Sequence, residues 1–352
     1  MSDYYQSISV IIPVKNEELY ISNLLDSVIS TSYPHDHLQV IVVDGMSEDN
    51  TWNIIERYLK QNSSIIAIKN QSKIVSTGFN LALNLCNGDY IFRIDGHCEI
   101  SQDYFKKCIK AFESQDADIV GGSLETVSSG LIGSAIAIAQ SSLFGVGGVK
   151  FRNSNYNKSN YVDTLAFGGH KREIFSEIGG YDEEMVCNQD DEFNHRSIQA
   201  GKKIWMDAKI KTKYYSRSAY RKLFKQYFNY GCYKIRGIQK RRELISIRHL
   251  IPIIFVIALI GTIIFGYLLH QPWILFSVIS VYLITNMIST FMVSQKISHI
   301  LLIFISFCIL HISYGFGSMW GLLRFIGKWK DNILKDDHFN RDNFIANSVV
   351  PK

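Results

Sequence analysis

The chain has 352 residues and a formal net charge of +5, length for one large domain or two moderate ones. Its six cysteines (Cys86, Cys98, Cys108, Cys187, Cys232, Cys308) form no C-x-x-C pair and no disulfide-like framework, which argues for a reduced, cytoplasmic setting of the soluble part. The opening "MSDYYQSISVIIPVKNEE" lacks a basic segment followed by a long apolar core, so no cleaved signal peptide is expected.

In chain order, Ile8–Val14 reads as a buried strand, followed by Leu24, Leu25, Val28 and Ile29 at helical spacing. Residues 38–45 are a second strand ending in Asp44, and the next helix has Ser47 as its N-cap and Asp49 in its first turn. "SIIAIKN" and "DYIFRIDG" are further strands, with the helix "STGFNLALNLC" between them. Strands alternating with helices predict an α/β fold with a largely parallel sheet. In such sheets ligands bind beyond the carboxyl ends of the strands, where residues 13–17, Asp44 and 95–97 all fall. Asp95 and His97 alternate to the same side with Gly96 between them, a pattern that suits two metal ligands and that any strand end can also produce by chance. Residues 128–160, rich in Gly, Ser and Asn, have no assignment.

Residues 217–249 hold ten Lys/Arg against one acid, Glu243, with Tyr and Phe interleaved at helical spacings. Nucleic-acid binding is one reading of such a stretch. Its place beside apolar segments favours an interfacial helix on anionic lipid, with this side cytoplasmic and no nucleic acid as partner. Residues 250–269, 273–293 and 297–323 are charge-free runs, each near or beyond the roughly 20 residues that cross a hydrocarbon core. Three crossings would put the basic segment 324–330 outside, against the positive-inside tendency, and Gly315, Gly317 and Gly321 suggest that the third run bends, re-enters or lies partly at the interface.

The ordered set "SVIIPVKNEE", "VIVVDGMSEDNT", "STGFNLALNLCNGDYIFRIDGHCEI", "GGHKREIFSEIGGYDEE" and "QDDEFNHR" resembles the family 2 inverting glycosyltransferases over residues 7 to about 215. The nearest subgroup is the membrane-attached succinoglycan and exopolysaccharide type, with a D-G-H-C motif and a "QYFxYG" segment ahead of the apolar runs, as at residues 226–231. The resemblance implies a GT-A, Rossmann-like nucleotide-diphospho-sugar transferase domain followed by C-terminal transmembrane helices. It implies nucleotide binding by Pro13, Val14, Asn16, Glu17, Asp44, Lys73 and Asp95, and a divalent metal ion held by Asp95 and His97. Histidine in place of a second carboxylate leans that site towards Mn²⁺, with Mg²⁺ also open. Asp190 matches the general base, with adjacent Asp191 as the register competitor, Gln189 where the family has Glu, and Glu192 and Arg196 matching. Gly168 and Gly169 match the acceptor-binding glycines; Trp205 is read as a packing residue. Each element has a plainer reading: Glu17 and Asp190 as complements to helix dipoles, Asp44 as a turn residue, Lys73 as a solvated lysine.

The expected organisation is a cytoplasmic GT-A domain at 1–215, a basic amphipathic interfacial segment at 216–249, a transmembrane region at 250–326 and a polar tail at 327–352. The expected function is transfer of a sugar, with inversion, from a nucleotide donor such as a UDP-sugar to a polyprenyl-diphosphate-linked glycan in exopolysaccharide or capsule synthesis, by a multi-pass protein of the plasma membrane in contact with membrane lipid. The competitors are a polyprenyl-phosphate sugar transferase and an inactive membrane partner with the same fold, the latter prompted by His97 and Gln189.

Overall fold

The structure, a computed structural model, describes residues 5–153, 157–166, 168–243 and 249–346. Phe167 beside the glycine pair, part of the basic stretch (244–248) and the end of the tail (347–352) lie outside the described residues. In chain order the elements are β1 (Ile8–Val14), α1 (Ile21–Ile29), β2 (Leu38–Asp44), α2 (Thr51–Gln61), β3 (Ile65–Lys69), α3 (Val75–Leu83), β4 (Tyr90–Arg93), β5 (Cys98–Ile100), α4 (Tyr104–Ser114) and β6 (Ile119–Val127). Then come α5 (Gly130–Gln140), α6 (Leu143–Val146), β7 (Asn160–Tyr161), β8 (Gly169–Lys171), α7 (Arg172–Ile178), α8 (Gln189–Gln199) and β9 (Ile204–Tyr215). The rest is helical: α9 (Tyr220–Arg241), α10 (Ile251–Leu268), α11 (Trp273–Val293), α12 (Ile297–Arg324) and α13 (Arg341–Ala346). Two compact units form, one from Met1–Glu125, Ser154–Tyr215 and Leu334–Lys352, the other from Thr126–Asn153 and Ser216–Ile333.

The first unit is built on a sheet of order β3-β2-β1-β4-β8-β6-β9-β5, with β7 on β9. β1 to β4 are parallel, as the strand–helix alternation predicts, but β4–β8, β6–β8, β5–β9 and β7–β9 pair antiparallel, so the sheet is mixed rather than largely parallel: the later strands are not linked by the helical crossovers that parallel pairing needs. Every residue of β1 is buried, which explains its unbroken apolar run: a central parallel strand is covered on both faces. Pro13 is tolerated there because it lies past the last β1–β4 pair, Ile11 with Arg93. Gly169 of β8 lies over the Phe92 ring, 2.5 Å from where a Cβ would stand, and a Cβ on Gly168 would stand 2.4 Å from the Val120 carbonyl. Sheet packing therefore accounts for both glycines.

The tail returns to this unit. The Asn340 N–H donates to the Asn84 amide oxygen at 2.8 Å, the Asp336 carboxylate accepts from the Gly180 N–H at 3.1 Å, and Arg172 donates to the Phe344 carbonyl at 2.7 Å while lying 3.8 Å from the Phe344 ring centroid. Phe344 is fully buried. The polar tail expected at 327–352 is thus, from Leu334, part of the sheet domain. Two helix limits also differ from the sequence reading. Asn50, rather than Ser47, is the N-cap of α2; Ser47 instead accepts a hydrogen bond from the Asn16 N–H at 2.9 Å. The third helix ends at Leu83 instead of Cys86.

In the second unit α12 is one continuous helix of 28 residues, so its glycines do not break it. They are contact points. A Cβ on Gly317 would come 2.0 Å from the Phe228 carbonyl, one on Gly321 2.5 Å from the Cys232 carbonyl, and one on Gly231 of α9 2.1 Å from the Tyr314 carbonyl. Gly317-x-x-x-Gly321 is the small-residue spacing that lets two helix backbones approach closely. The first turns of α9 pack with α5 and α12 through Ala135, Ile136, Ala139, Leu223, Tyr227, Ile303, Phe307 and Leu310. α10, α11 and α12 are each long and apolar enough to cross a membrane.

Candidate active site

The parallel strands end level with one another. Val14 pairs with Asp44, and Asp44 with Lys69. The loops that follow turn through left-handed backbone at non-glycine residues, Asn16 (φ 56°), Met46 (φ 59°) and Lys73 (φ 61°), and Asn188 does so just before α8 at φ 60°. Such conformations cost about 1 kcal/mol or more each and persist only where their surroundings hold them. The hold is visible at the first two loops. The Asn16 amide oxygen accepts from the Glu48 N–H at 2.8 Å, and the Glu17 N–H donates to the Thr51 hydroxyl at 2.8 Å. Asp44 is buried, and its carboxylate accepts from the Ser47 N–H at 3.1 Å. Lys73 is exposed, with its N–H donating to the Asn70 carbonyl at 3.2 Å.

Gly96 joins the first and fourth strand ends, since a Cβ there would stand 2.7 Å from the Val14 side chain and 3.1 Å from that of Glu17. Next to it, the Nδ1 of His97 lies 2.9 Å from a Glu17 carboxylate oxygen. On the other side, Arg93 is buried and donates to one oxygen of Asp95 through Nε at 3.0 Å and Nη2 at 2.8 Å. Its guanidinium lies 5.6 Å from the Tyr181 ring centroid. Burial alone would lower the Arg93 pKa, but Asp95, Tyr181 and Asp190 together raise it. Its Nη1 is buried without a hydrogen-bond partner among the described residues.

Asp190 and Asp191 open α8 beside Glu192, so the first turn is acidic where the helix dipole favours anions. Asp190 is half-buried, and burial raises its carboxyl pKa; Arg93 opposes the shift, while Asp191 and Asp95 add to it. Glu192 and Arg196 form an ion pair at 2.7 Å, and Arg196 donates onward to the Ile178 and Gly180 carbonyls at 2.6 and 2.7 Å. Their match to the family pattern therefore has a structural reason: they clamp the loop that delivers Asp190. From the other side, α3 holds the same loop, with Asn80 accepting from the Tyr181 N–H and donating to the Tyr181 carbonyl, both at 2.8 Å. Gln189 is buried and its amide oxygen has no partner among the described residues.

Several of the sequence-read residues are thus neighbours: Asp44 and Gly45 beside Val14, Gly96 against Val14 and Glu17, and Asp95 against Arg93, with Asp190 close enough for its charge to act on Arg93. Sequence reasoning missed Arg93, Tyr181 and Asn80. Arg93 had a signal, two residues before Asp95 and so on its side of an extended chain; the other two are long-range contacts with none. Trp205 packs edge-on against Tyr161, its ring centroid 4.9 Å away. His170 is a core histidine held neutral, its pKa pushed down to about 4 by burial.

The donor set can be tested against a divalent cation. Among the described residues no group of three or more His, Cys, Asp or Glu surrounds a common point. Asp95 spends one oxygen on Arg93, and His97 spends Nδ1 on Glu17. Asp95 has a second carboxylate oxygen and His97 an Nε2, both donor types that a divalent cation accepts. The Cys98 N–H donates to the Asp95 carbonyl at 3.1 Å, so residues 95–98 form a turn and the extended alternation expected for Asp95 and His97 does not hold.

Comparison with known proteins identifies the family and the fold. Residues 9–179 match the model described as glycosyl transferase family 2. Succinoglycan biosynthesis protein ExoA of Rhizobium meliloti (strain 1021) is 31% identical over 250 residues, 69% of this chain and 74% of its own. A dolichyl N-acetyl-alpha-D-glucosaminyl phosphate 3-beta-D-2,3-diacetamido-2,3-dideoxy-beta-D-glucuronosyltransferase of Methanococcus voltae is 28% identical over 324 residues, 88% of this chain and 95% of its own. Among solved structures, mannosyltransferase PcManGT from Pyrobaculum calidifontis, in complex with GDP-Man and Mn²⁺, matches with a TM-score of 0.56 at 16% identity, over 92% of this chain and 88% of its own, a likeness of fold. The nucleotide-sugar-transferase fold, the ordered motifs and the relatives agree: the chain belongs to glycosyl transferase family 2 and is a glycosyltransferase with a GT-A domain followed by helices apolar enough to span a membrane.

Proposed function

We propose that the protein transfers one sugar, with inversion, from a UDP-sugar to a polyprenyl-diphosphate-linked glycan, at the cytoplasmic face of the plasma membrane to which its C-terminal helices attach it. The carrying observation is that buried Arg93 holds Asp95 at 2.8 Å at the end of β4 while its charge acts on Asp190 in the first turn of α8. The residues at the ends of β1 to β3, namely Pro13, Val14, Asn16, Glu17, Asp44 and Lys73, bound the space for the nucleoside. Asp95 and His97 would hold the divalent cation, Mn²⁺ or Mg²⁺. When bound, such an ion neutralises charge developing on the leaving nucleoside diphosphate. The relative from Pyrobaculum calidifontis, whose complex contains GDP-Man and Mn²⁺, supports this reading.

Asp190 acts as the general base, removing the proton of the acceptor hydroxyl as its oxygen attacks the anomeric carbon opposite the nucleotide. Burial raises its pKa towards the working range of a base, and Arg93 keeps the carboxylate accessible by opposing that rise. With Gln189 in place of an acid, a like charge that would raise the pKa further is absent. Gly168 and Gly169 have their own packing reasons to be glycine, and an acceptor contact at them is a separate proposal. The lipid-linked acceptor is supported by the apolar helices and by the names of two relatives, one in succinoglycan biosynthesis and one acting on a dolichyl-linked sugar.

Membranes supplied with radiolabelled UDP-sugars and native lipid-linked glycan should yield an extended glycan; label appearing only as a lipid monosaccharide would assign the protein to polyprenyl-phosphate transfer instead. Asp190→Asn should reduce transfer at least about 100-fold, the scale of lost general-base catalysis, with UDP affinity unchanged. Loss of UDP binding in that variant, or full activity, would refute the assignment. Asp95→Ala should lose the cation-dependent part of UDP affinity, measured by titration with and without Mn²⁺; an unchanged metal dependence would remove Asp95 from the metal site.

A further inference from the structure

Three apolar helices suggest three membrane crossings, but the chain's own contacts require an even number. Residues 334–346, which follow all three, are hydrogen-bonded into the sheet domain that precedes them: Asp336 to Gly180, Asn340 to Asn84, Arg341 to Ser176 and Arg172 to Phe344. A second set of contacts, within the helical unit, says the same. Near the end of α9, before the first apolar helix, Arg236 donates to the Lys328 carbonyl at 3.0 Å and pairs with Asp331 at 3.1 Å. Gln239 donates to the Phe325 carbonyl at 3.0 Å and Lys240 to the Ile333 carbonyl at 2.9 Å. The segment after α12 is therefore fastened to the segment before α10.

α9 itself cannot cross. Its charge-free stretch runs only from Gln226 to Tyr233, about 12 Å of helix against a hydrocarbon core about 30 Å thick. α12 runs parallel beside it, since Tyr220 bonds the Leu302 carbonyl, Gly231 meets Tyr314 and Gly321 meets Cys232. A perpendicular α12 would carry α9, with exposed Arg221, Lys222 and Lys225, into the hydrocarbon, where charged side chains are strongly disfavoured. The α10–α11 pair shows where α12 lies instead. α10 buries Ile253 and Val256 near its start, where Gly315 meets Pro252, and α11 buries Asn286 and Thr290 near its end, where Asn286 bonds the Phe304 carbonyl. Their distal halves expose Ile263, Ile264, Phe265, Trp273 and Phe276. α12 thus crosses the hairpin at the end where the chain enters and leaves it.

We propose that the chain crosses the bilayer twice, as the α10–α11 hairpin, and that the α9–α12 pair lies along the interface on the side of the sheet domain, with exposed Phe224, Trp320, Leu323 and Trp329 meeting the lipid and the flanking cations its anionic headgroups. This topology is independent of the reaction catalysed and keeps the basic segment 324–330 on the same side as the other cations.

Single cysteines at Lys110 (sheet domain), Gln271 (between α10 and α11), Gln295 (between α11 and α12) and Lys330 (after α12) can be labelled with a membrane-impermeant maleimide in sealed cells and in opened membranes. Labelling of the unsubstituted full-length chain is subtracted and detergent-solubilised protein serves as the control that every position reacts. The topology expects Gln271→Cys to label in sealed cells, and Lys110→Cys, Gln295→Cys and Lys330→Cys to label only after opening. Lys330→Cys labelling together with Gln271→Cys would restore three crossings and overturn the proposal. Gln271→Cys labelling together with Lys110→Cys would mean that the hairpin does not cross, and would overturn it equally.

Discussion

A guanidinium in a protein interior is tolerated only when acids and aromatic faces replace its water, and the site of this enzyme is arranged around one. Arg93 brings Asp95 to it through two hydrogen bonds on a single oxygen, lies against Tyr181, and is near enough to Asp190 for the two charges to act on each other. Those partners come from the end of β4, the loop after α7 and the first turn of α8. One charge therefore sets the position of one acid and the proton affinity of another. Because both bonds fall on the same oxygen of Asp95, the other remains for a ligand, while the unpartnered Nη1 of Arg93 and amide oxygen of Gln189 are buried polar groups at the same place.

The loop carrying Tyr181 and leading to Asp190 is held from three directions. Asn80 grips the Tyr181 backbone from α3, Arg196 grips Ile178 and Gly180 from α8, and Asp336 grips Gly180 from the tail. The tail contact ties the residues that follow the apolar helices to the segment that leads to Asp190. The second unit uses a different device, glycines that let α9 and α12 meet backbone to backbone, with the polar ends of the pair closed by Arg236 and Lys240.

What was legible in the sequence follows from the range of the forces involved. Strands such as β1 and β2 declare themselves because burial on both faces demands an unbroken apolar run, and the polar residues at their ends follow from the topology of parallel sheets. The apolar helices declare themselves by length. Ser47 misled because serine before a helix is a common cap, whereas here the Asn16 backbone claims its hydroxyl. The glycines of α12 suggested a bend, since a glycine that allows close packing and one that weakens a helix look alike without the partner. Lys234, Arg236 and Lys240 were read as part of an interfacial charge, and all three are buried; for Arg236 and Lys240 the reason is carbonyls and an aspartate about ninety residues on. Contacts at such separations, the returning tail among them, leave no local pattern to read.

The central claim is that Arg93 tunes a base at Asp190, and the pH dependence of transfer tests it most directly. In the proposed role Asp190 works as a carboxylate, so activity should fall as the pH drops through its pKa, which burial raises while Arg93 opposes the rise. In Arg93→Gln, compared with Arg93→Lys as the variant that keeps the charge, the acid limb of the rate profile should move to higher pH, with Arg93→Lys staying near the parent. An acid limb unmoved in Arg93→Gln, in a protein that still binds UDP, would contradict the account.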